Sequence, residues 1–224
     1  MIEQNLGEMD RAMRRKATRI AQGCGAAVLL ACACARTPPA LPAPPPAVPP
    51  APPPDLLAPA ACDRIVAIEV SKRERRLRAR CEGGGVVEMP VALGRESDGP
   101  KREEGDSRTP EGHYRISGPP RPSRRLHRFV PIDYPSLADA ATARAEGRLS
   151  EAEYREIAAA HGLGEPPHAN TALGGYLGFH GEGKRWRGDS RFLDWTYGCI
   201  GLTDADVDFI AKRSELGTPV SIEP

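Results

Sequence analysis

From Asp63 onward, apolar and polar positions alternate in short runs: Arg64 to Val70, Leu77 to Cys81, Val86 to Val91, His113 to Ser117, Leu126 to Asp133, Tyr176 to His180 and Val220 to Ile222. A period of two is what a strand with one buried face requires, and turn residues separate nearly all of these runs. Gly83-Gly84-Gly85 reads as a turn, since no helix follows it to make a phosphate cradle. Two stretches break the alternation. Ser136 to Glu146 ends before Gly147, and Ser150 opens another helix with Glu153 at the capping-box position; together they predict a helical hairpin over one edge. A third helix is predicted from Thr203, which caps it. Asp206 takes the capping-box position, Asp204, Asp206 and Asp208 suit the positive end of the dipole, and Gly217 is expected to stop it. The pattern is that of a mainly β, α+β domain over residues 62–224 with a few peripheral helices and no internal repeat.

Ahead of this domain the composition changes twice. In residues 1–35 a basic stretch (Arg11, Arg14, Arg15, Lys16, Arg19) precedes a small and apolar run from Ile20 to Ala35, the order of an export signal. Leu29-Leu30-Ala31-Cys32 resembles a lipobox that would put a lipid on Cys32, Ala33-Cys34-Ala35 offers an ordinary cleavage site, and an uncleaved anchor is a third outcome; the residues leave all three open. Met9 or Met13 are alternative starts. Residues 36–61 form a linker in which twelve of the 22 residues from Pro38 to Pro59 are proline. As polyproline II, at about 3.1 Å per residue, this segment would reach roughly 70 Å and act as a stiff spacer from a membrane; a linker with no positional role is the alternative.

Charge and composition narrow the function classes. The formal charge is +1, and the first 35 residues carry five basic and three acidic residues, so the remainder is close to neutral. No basic field is left for nucleic acid. Four Phe, two Trp and five Tyr against 23 Gly and 24 Pro suit short strands and loops rather than a helical bundle. Of six cysteines, three belong to the signal. Cys62 and Cys81 bracket two strand-like runs joined by a charged turn, so an antiparallel hairpin would bring them together as a disulfide in an oxidising compartment. Cys199 is the odd thiol, and an unpaired thiol in an exported protein is a candidate for reactivity.

The chemistry concentrates between Tyr176 and Leu202. His180 ends an apolar run and is followed by Gly181, which lets the chain turn sharply. Cys199 follows Gly198, whose missing side chain allows a tight loop and close approach of a substrate. A thiol with an ordinary pKa near ~8.5 needs an adjacent imidazole to take its proton before it can attack an acyl carbon, and His180 is the candidate base. The backbone N–H groups of Tyr197, Gly198 and Cys199 are candidate oxyanion donors. A reactive thiol of this kind predicts fast labelling of Cys199 near pH ~6. The same pair of residues also fits an inert cysteine beside a satisfied core histidine. Two ligands without a CxxC or a second nearby His do not make a zinc site.

At this point the sequence resembles the L,D-transpeptidase catalytic family. Its motif is a His-Gly followed by Ser/Thr-x-Gly-Cys and an apolar residue; here it reads His180-Gly181, then Thr196-Tyr197-Gly198-Cys199-Ile200. Upstream, Gly99-Pro100-Lys101-Arg102, Glu104-Gly105-Asp106 and Arg108-Thr109-Pro110-Glu111-Gly112-His113-Tyr114 are similar to a second family block, as are Ile132-Asp133-Tyr134-Pro135 and Gly217-Thr218-Pro219-Val220. The resemblance runs from about Ile65 to Ile222. Many members carry a His before the Gly-Cys and an Arg two residues after the Cys, whereas this chain has Tyr197 and Gly201, which places it nearer a divergent branch that includes wall-trimming enzymes.

The resemblance implies a β-sandwich of the L,D-transpeptidase type and a periplasmic or cell-envelope enzyme acting on peptidoglycan stem peptides. It implies cysteine acyl transfer beside meso-diaminopimelate, with no metal or other cofactor; water as acceptor would make it an L,D-carboxypeptidase or amidase, and a vestigial cysteine would leave a wall-binding module. For the missing cation, Lys184, Arg185, Arg187 and Arg191 are candidate replacements. Trp186 and Trp195 are candidate groove walls, with simple packing as the alternative, and Thr196 is a candidate substrate contact. His127, expected on the face opposite Leu126 and Arg128, is a candidate for orienting substrate or His180. Arg108 and Thr109 are expected to hydrogen-bond structurally in a loop beside the site.

Overall fold

Alternation along the chain is converted into two sheets that share one core. The computed structural model describes residue 58, residues 61–185 and residues 193–224. These lie in a unit that runs from Ala51 to Pro224. The signal, Cys32, nearly all of the proline-rich linker, Trp186, Arg187 and Arg191 lie outside the described residues. Among the described residues no helix is long and apolar enough to cross a membrane.

The first sheet contains β1 (Ile65–Ser71), β2 (Arg76–Cys81), β3 (Val86–Pro90), β4 (Gly112–Arg115) and β9 (Pro219–Glu223), in the order β3-β2-β1-β9-β4. In β2 the alternation is complete: Leu77, Ala79 and Cys81 point inward, while Arg76, Arg78 and Arg80 point outward toward Glu88 and Glu69. Such exposed pairs contribute about 0–1 kcal/mol each, so the inward residues carry this sheet. The second sheet contains β5 (Arg121–Ser123), β6 (His127–Pro131), β7 (Gly178–His180) and β8 (Ile200–Gly201), in that order. Val130, Phe179 and Ile200, one from each of its three inner strands, are fully buried in the same core as Ile68, Leu77 and Val220.

Three helices flank the sheets: α1 (Leu137–Ala145), α2 (Glu151–Gly162) and α3 (Asp204–Arg213). Ser136 with Asp139, and Ser150 with Glu153, form reciprocal capping boxes. At α3 the box is only half made. Thr203 Oγ1 accepts from the Asp206 N–H at 3.1 Å, but the Asp206 carboxylate takes the Thr203 hydroxyl instead of its backbone N–H. This helix also stops at Arg213, four residues short of Gly217, because Ser214 is already extended. Gly217 serves instead in the turn into β9, with φ +84° and its N–H on the Ile116 carbonyl.

Strand ends depart from the alternation where the backbone turns left-handed. Tyr176 has φ +54°, so β7 starts only at Gly178. His127 has φ +61°, which rotates its side chain onto the side of Arg128 rather than the opposite face; both reach Asp208. β5 and β8 are too short to show alternation at all. Cys62 and Cys81 form a disulfide with Cα atoms 5.5 Å apart, closing the base of the β1–β2 hairpin. Lys72, after β1, is buried and donates to Gly99 O (2.6 Å), Thr109 O (3.2 Å) and Glu111 Oε1 (2.7 Å), which pins the segment 99–111 against the first sheet.

Replacing both Cys62 and Cys81 by alanine should lower stability by about 3 kcal/mol, the chain-entropy value for a closed loop of this length; urea denaturation of the oxidised wild type and the double variant measures it.

Candidate active site

The cysteine and the histidine are brought together by one ladder. β7 and β8 run parallel with Phe179 beside Ile200 and His180 beside Gly201. Stepping back one position places Cys199 beside Gly178. Since Phe179 and Ile200 face the core, the period of two puts His180, Cys199 and Gly201 together on the opposite face. His180 and Cys199 are diagonal neighbours on that face.

A backbone cradle holds the cysteine. Thr196 is buried, its hydroxyl donating to Cys199 O at 2.7 Å and accepting the Gly198 N–H at 3.1 Å. Its hydroxyl is therefore committed to shaping the loop, which overturns its expected role as a substrate contact. The same bond engages the Gly198 N–H, so this donor is not turned toward an oxyanion. Gly198 has φ +126°, and a Cβ there would come within 2.7 Å of the Arg108 carbonyl oxygen, so glycine is required twice over. Tyr197 is exposed, with the Arg95 guanidinium 4.5 Å from its ring centroid. On the far side of the sulfur, Cys199 Sγ lies 3.8 Å from the Tyr176 carbonyl.

The imidazole is held as firmly. His180 is only 3% exposed, and its Nδ1 lies 2.9 Å from the Gly181 carbonyl. A carbonyl only accepts, so Nδ1 carries the proton and Nε2 keeps the lone pair that a base needs. Gly181 is packed against α3: a Cβ there would lie 2.4 Å from Asp204 Oδ1, whose carboxylate caps the next turn through the Gly183 N–H at 2.9 Å. Trp195 is buried and meets the imidazole edge-on, ring centroids 5.2 Å apart. It packs the base rather than walling an open groove. It also crowds Gly201, where a Cβ would be 3.1 Å from Trp195 Cζ2 and 3.3 Å from Thr196 Cγ2, leaving little room for a longer side chain.

His127 stands behind this loop. Its Nδ1 is 3.7 Å from Asp204 and its Nε2 3.1 Å from Asp208, the latter close but outside hydrogen-bond alignment. It thus belongs to a cluster on the flank of α3, in contact with the turn after His180 rather than with the sulfur. Lys184 is exposed. The other candidate cations contribute no described side chain.

Sequence reasoning missed the ion pair under the site. Lys101 and Asp106, with side chains 4% and 10% exposed, meet at 2.8 Å. Asp106 also accepts backbone N–H groups of Arg102 (2.7 Å), Glu103 (3.1 Å) and Arg108 (3.1 Å). Burial opposes its charge, yet Lys101 and these donors outweigh it and hold the carboxyl below its ordinary range. Both residues sit in the upstream block, where a run of charges reads as a solvated loop. Thr109 does take the expected structural role, accepting the Gly94 N–H at 2.9 Å.

Electrostatics set the resting state. Cys199 remains half-buried with access from solvent, yet burial pushes its thiol up to about 11, against smaller opposing effects from the Gly178 N–H and the Lys101 charge. Burial also lowers the His180 imidazole, opposed by its bond to Gly181. Both shifts favour a neutral thiol beside a neutral imidazole. The expected fast labelling near pH ~6 is overturned, because it needs a preformed thiolate.

Comparison with known proteins follows from this geometry. The sequence profile of the L,D-transpeptidase catalytic domain matches residues 65–222. No curated protein matches. Among solved structures the chain is similar to the helical cell shape determining protein Pgp2 from Campylobacter jejuni, with 21% identity over 72% of this chain and 48% of that one and a TM-score of 0.48. It is similar to Bd1075 of Bdellovibrio bacteriovorus, with 20% identity, 75% and 50% coverage and a TM-score of 0.42. An L,D-transpeptidase from Mycobacterium smegmatis shares 13% identity, 71% and 58% coverage and a TM-score of 0.41. The chain spans roughly half the length of these proteins.

Two outcomes are expected from the buried charges and the raised thiol. Asp106→Ala should cost about 3–5 kcal/mol by leaving Lys101 buried without its partner, read by chemical denaturation. Iodoacetamide labelling of Cys199 in the absence of substrate should accelerate about tenfold per pH unit from neutral into the alkaline range, because the thiolate fraction grows only as pH rises toward the raised pKa; a rate that is flat between pH ~6 and ~8 would contradict the neutral pair.

Proposed function

Because the chain belongs to the L,D-transpeptidase catalytic domain family, we propose that it is a cysteine-dependent acyltransferase acting on peptidoglycan stem peptides. The observation that carries this reading is the shared face of β7 and β8, with Nδ1 of His180 bonded to Gly181 and Nε2 left as the base. The Cys199 proton passes to His180 Nε2 as the sulfur attacks the carbonyl carbon that follows meso-diaminopimelate, forming a carbon–sulfur bond. Negative charge gathers on the carbonyl oxygen, where the N–H groups of Tyr197 and Cys199 serve as donors. Collapse breaks the amide bond; the departing D-amino acid takes the proton from the imidazolium and leaves a thioester on Cys199.

An acceptor amine then attacks the thioester, giving a cross-link or an anchored protein, and His180 takes and returns the proton as before. With water as acceptor the product is a shortened stem peptide, the outcome of an L,D-carboxypeptidase. The resting pair is neutral, so proton transfer accompanies attack rather than preceding it. That arrangement protects the thiol from adventitious reagents while substrate is absent.

The reading includes export to the periplasm or cell envelope, by a signal cleaved within residues 1–35 or lipidated at Cys32. A disulfide between Cys62 and Cys81 supports an oxidising compartment.

Incubating the full chain with tetrapeptide and pentapeptide muropeptides, followed by intact-mass analysis, tests the proposal. An acyl adduct is expected on Cys199, absent in Cys199→Ser and formed at least ~100-fold more slowly in His180→Ala. Dimeric products would identify transfer, and shortened monomers hydrolysis. Muropeptide binding without any adduct or product would sink the enzymatic reading in favour of a wall-binding module.

A further inference from the structure

Two chain segments flank the Cys199 sulfur, and one ammonium ties them together. On one side the Gly198 backbone lies against the Arg108 carbonyl, and the Arg108 N–H donates to Asp106 Oδ1 at 3.1 Å. On the other side is the Tyr176 carbonyl, 3.8 Å from the sulfur. The turn that leads to Tyr176 rests on Glu104, whose side-chain carbons lie 3.3 Å from a Cβ position on Gly174 and whose N–H donates to Ala172 O at 2.9 Å. Lys101 Nζ joins both supports, donating to Asp106 Oδ1 at 2.8 Å and to Glu103 O at 2.9 Å.

We infer that Lys101 is a positioning residue for the nucleophile: its buried ammonium, held by Asp106 and the Glu103 carbonyl, stabilises negative charge on the Cys199 sulfur as the proton leaves for His180. This inference rests on the reading of Cys199 as the nucleophile. The carboxylate of Asp106 does not cancel the ammonium, because its own charge is shared with three backbone N–H groups. In a half-buried site the attraction between ammonium and sulfur is screened much less than in water. Burial is the largest influence on the sulfur and opposes its ionisation; the Lys101 charge favours it. Around this joint the other ionisable groups are Glu104, Arg108, Tyr134 and Glu153, which accepts the Ala172 N–H at 2.8 Å, with Arg102, Glu146 and Arg148 clustered beside α1. Of these, Arg102, Glu104 and Glu146 are exposed and the rest are at least partly buried.

A clamp that only holds loops and a charge that acts on sulfur respond differently to substitution. In the full chain, the rate of iodoacetamide labelling at Cys199, read by peptide mass mapping from pH ~7 to ~10, should fall about tenfold in Lys101→Met, which amounts to a displacement of the profile by about one pH unit. Lys101→Arg, which keeps the charge, should stay within about threefold of wild type. The double variant K101M/D106N leaves no unpaired buried charge and keeps an oxygen for the three N–H donors, so it should fold and label as slowly as Lys101→Met. Wild-type labelling in the Met and double variants, or an equal loss in Lys101→Arg, would overturn the inference. The labelling needs no muropeptide, so it is separable from the functional reading: wild type forming an acyl adduct while Lys101→Met labels normally would remove the role of Lys101 alone. Absence of an adduct in wild type would remove the enzymatic reading instead.

Discussion

Parallel pairing of β7 with β8 is the constraint on which the site depends. A parallel pair cannot be closed by a tight turn; it needs a crossover of about a dozen residues or more. The long interval between His180 and Cys199 is that crossover, so a separation that looks arbitrary along the chain is what two adjacent parallel strands demand. The ladder is only two residues long, and it is stabilised from both sides. Phe179 and Ile200 bury one face in the shared core, while Ala92 exchanges two backbone hydrogen bonds with Gly201 across the open edge of β8.

Around that ladder, close backbone approach replaces side-chain packing. Gly198 meets Arg108, Gly94 meets Ser107 and Gly181 meets Asp204, each at a distance that excludes a Cβ. These contacts explain why a stretch as remote as residues 99–112 is bound up with the nucleophile: it is the wall against which the loop of Cys199 is pressed. Lys72 and the Lys101–Asp106 pair anchor the wall from beneath, with every polar contact made in a region closed to water. Arg75 adds a further tie from the first hairpin through Asp194, whose carboxylate also accepts the Leu93 N–H at 3.0 Å.

The cost of such enclosure is electrostatic. Burial that fixes the imidazole and the thiol also makes each of them harder to charge, so the two groups rest neutral and ionise together only when a substrate completes the site. Cations and N–H dipoles close to the sulfur are then what lowers the barrier.

Much of this protein is legible in the order of its residues. Period-two alternation located seven of the nine strands because each of those has one face in the core, and the Ser-x-x-Glu and Ser-x-x-Asp spacings mark helix starts through local hydrogen bonds alone. The Cys199–His180 pairing was legible too, through glycines whose backbone freedom is a property of the residue itself. Tertiary structure decided the rest. β8 is too short to carry a pattern, and left-handed backbone at Tyr176 and His127 ends the alternation where a side-chain count would continue it. The hydroxyl of Thr196, the indole of Trp195 and the ammonium of Lys101 acquire their roles only from neighbours that lie elsewhere in the chain or across a turn. A residue type declares what it can bond to; burial and the arrival of a distant partner determine which bond it makes.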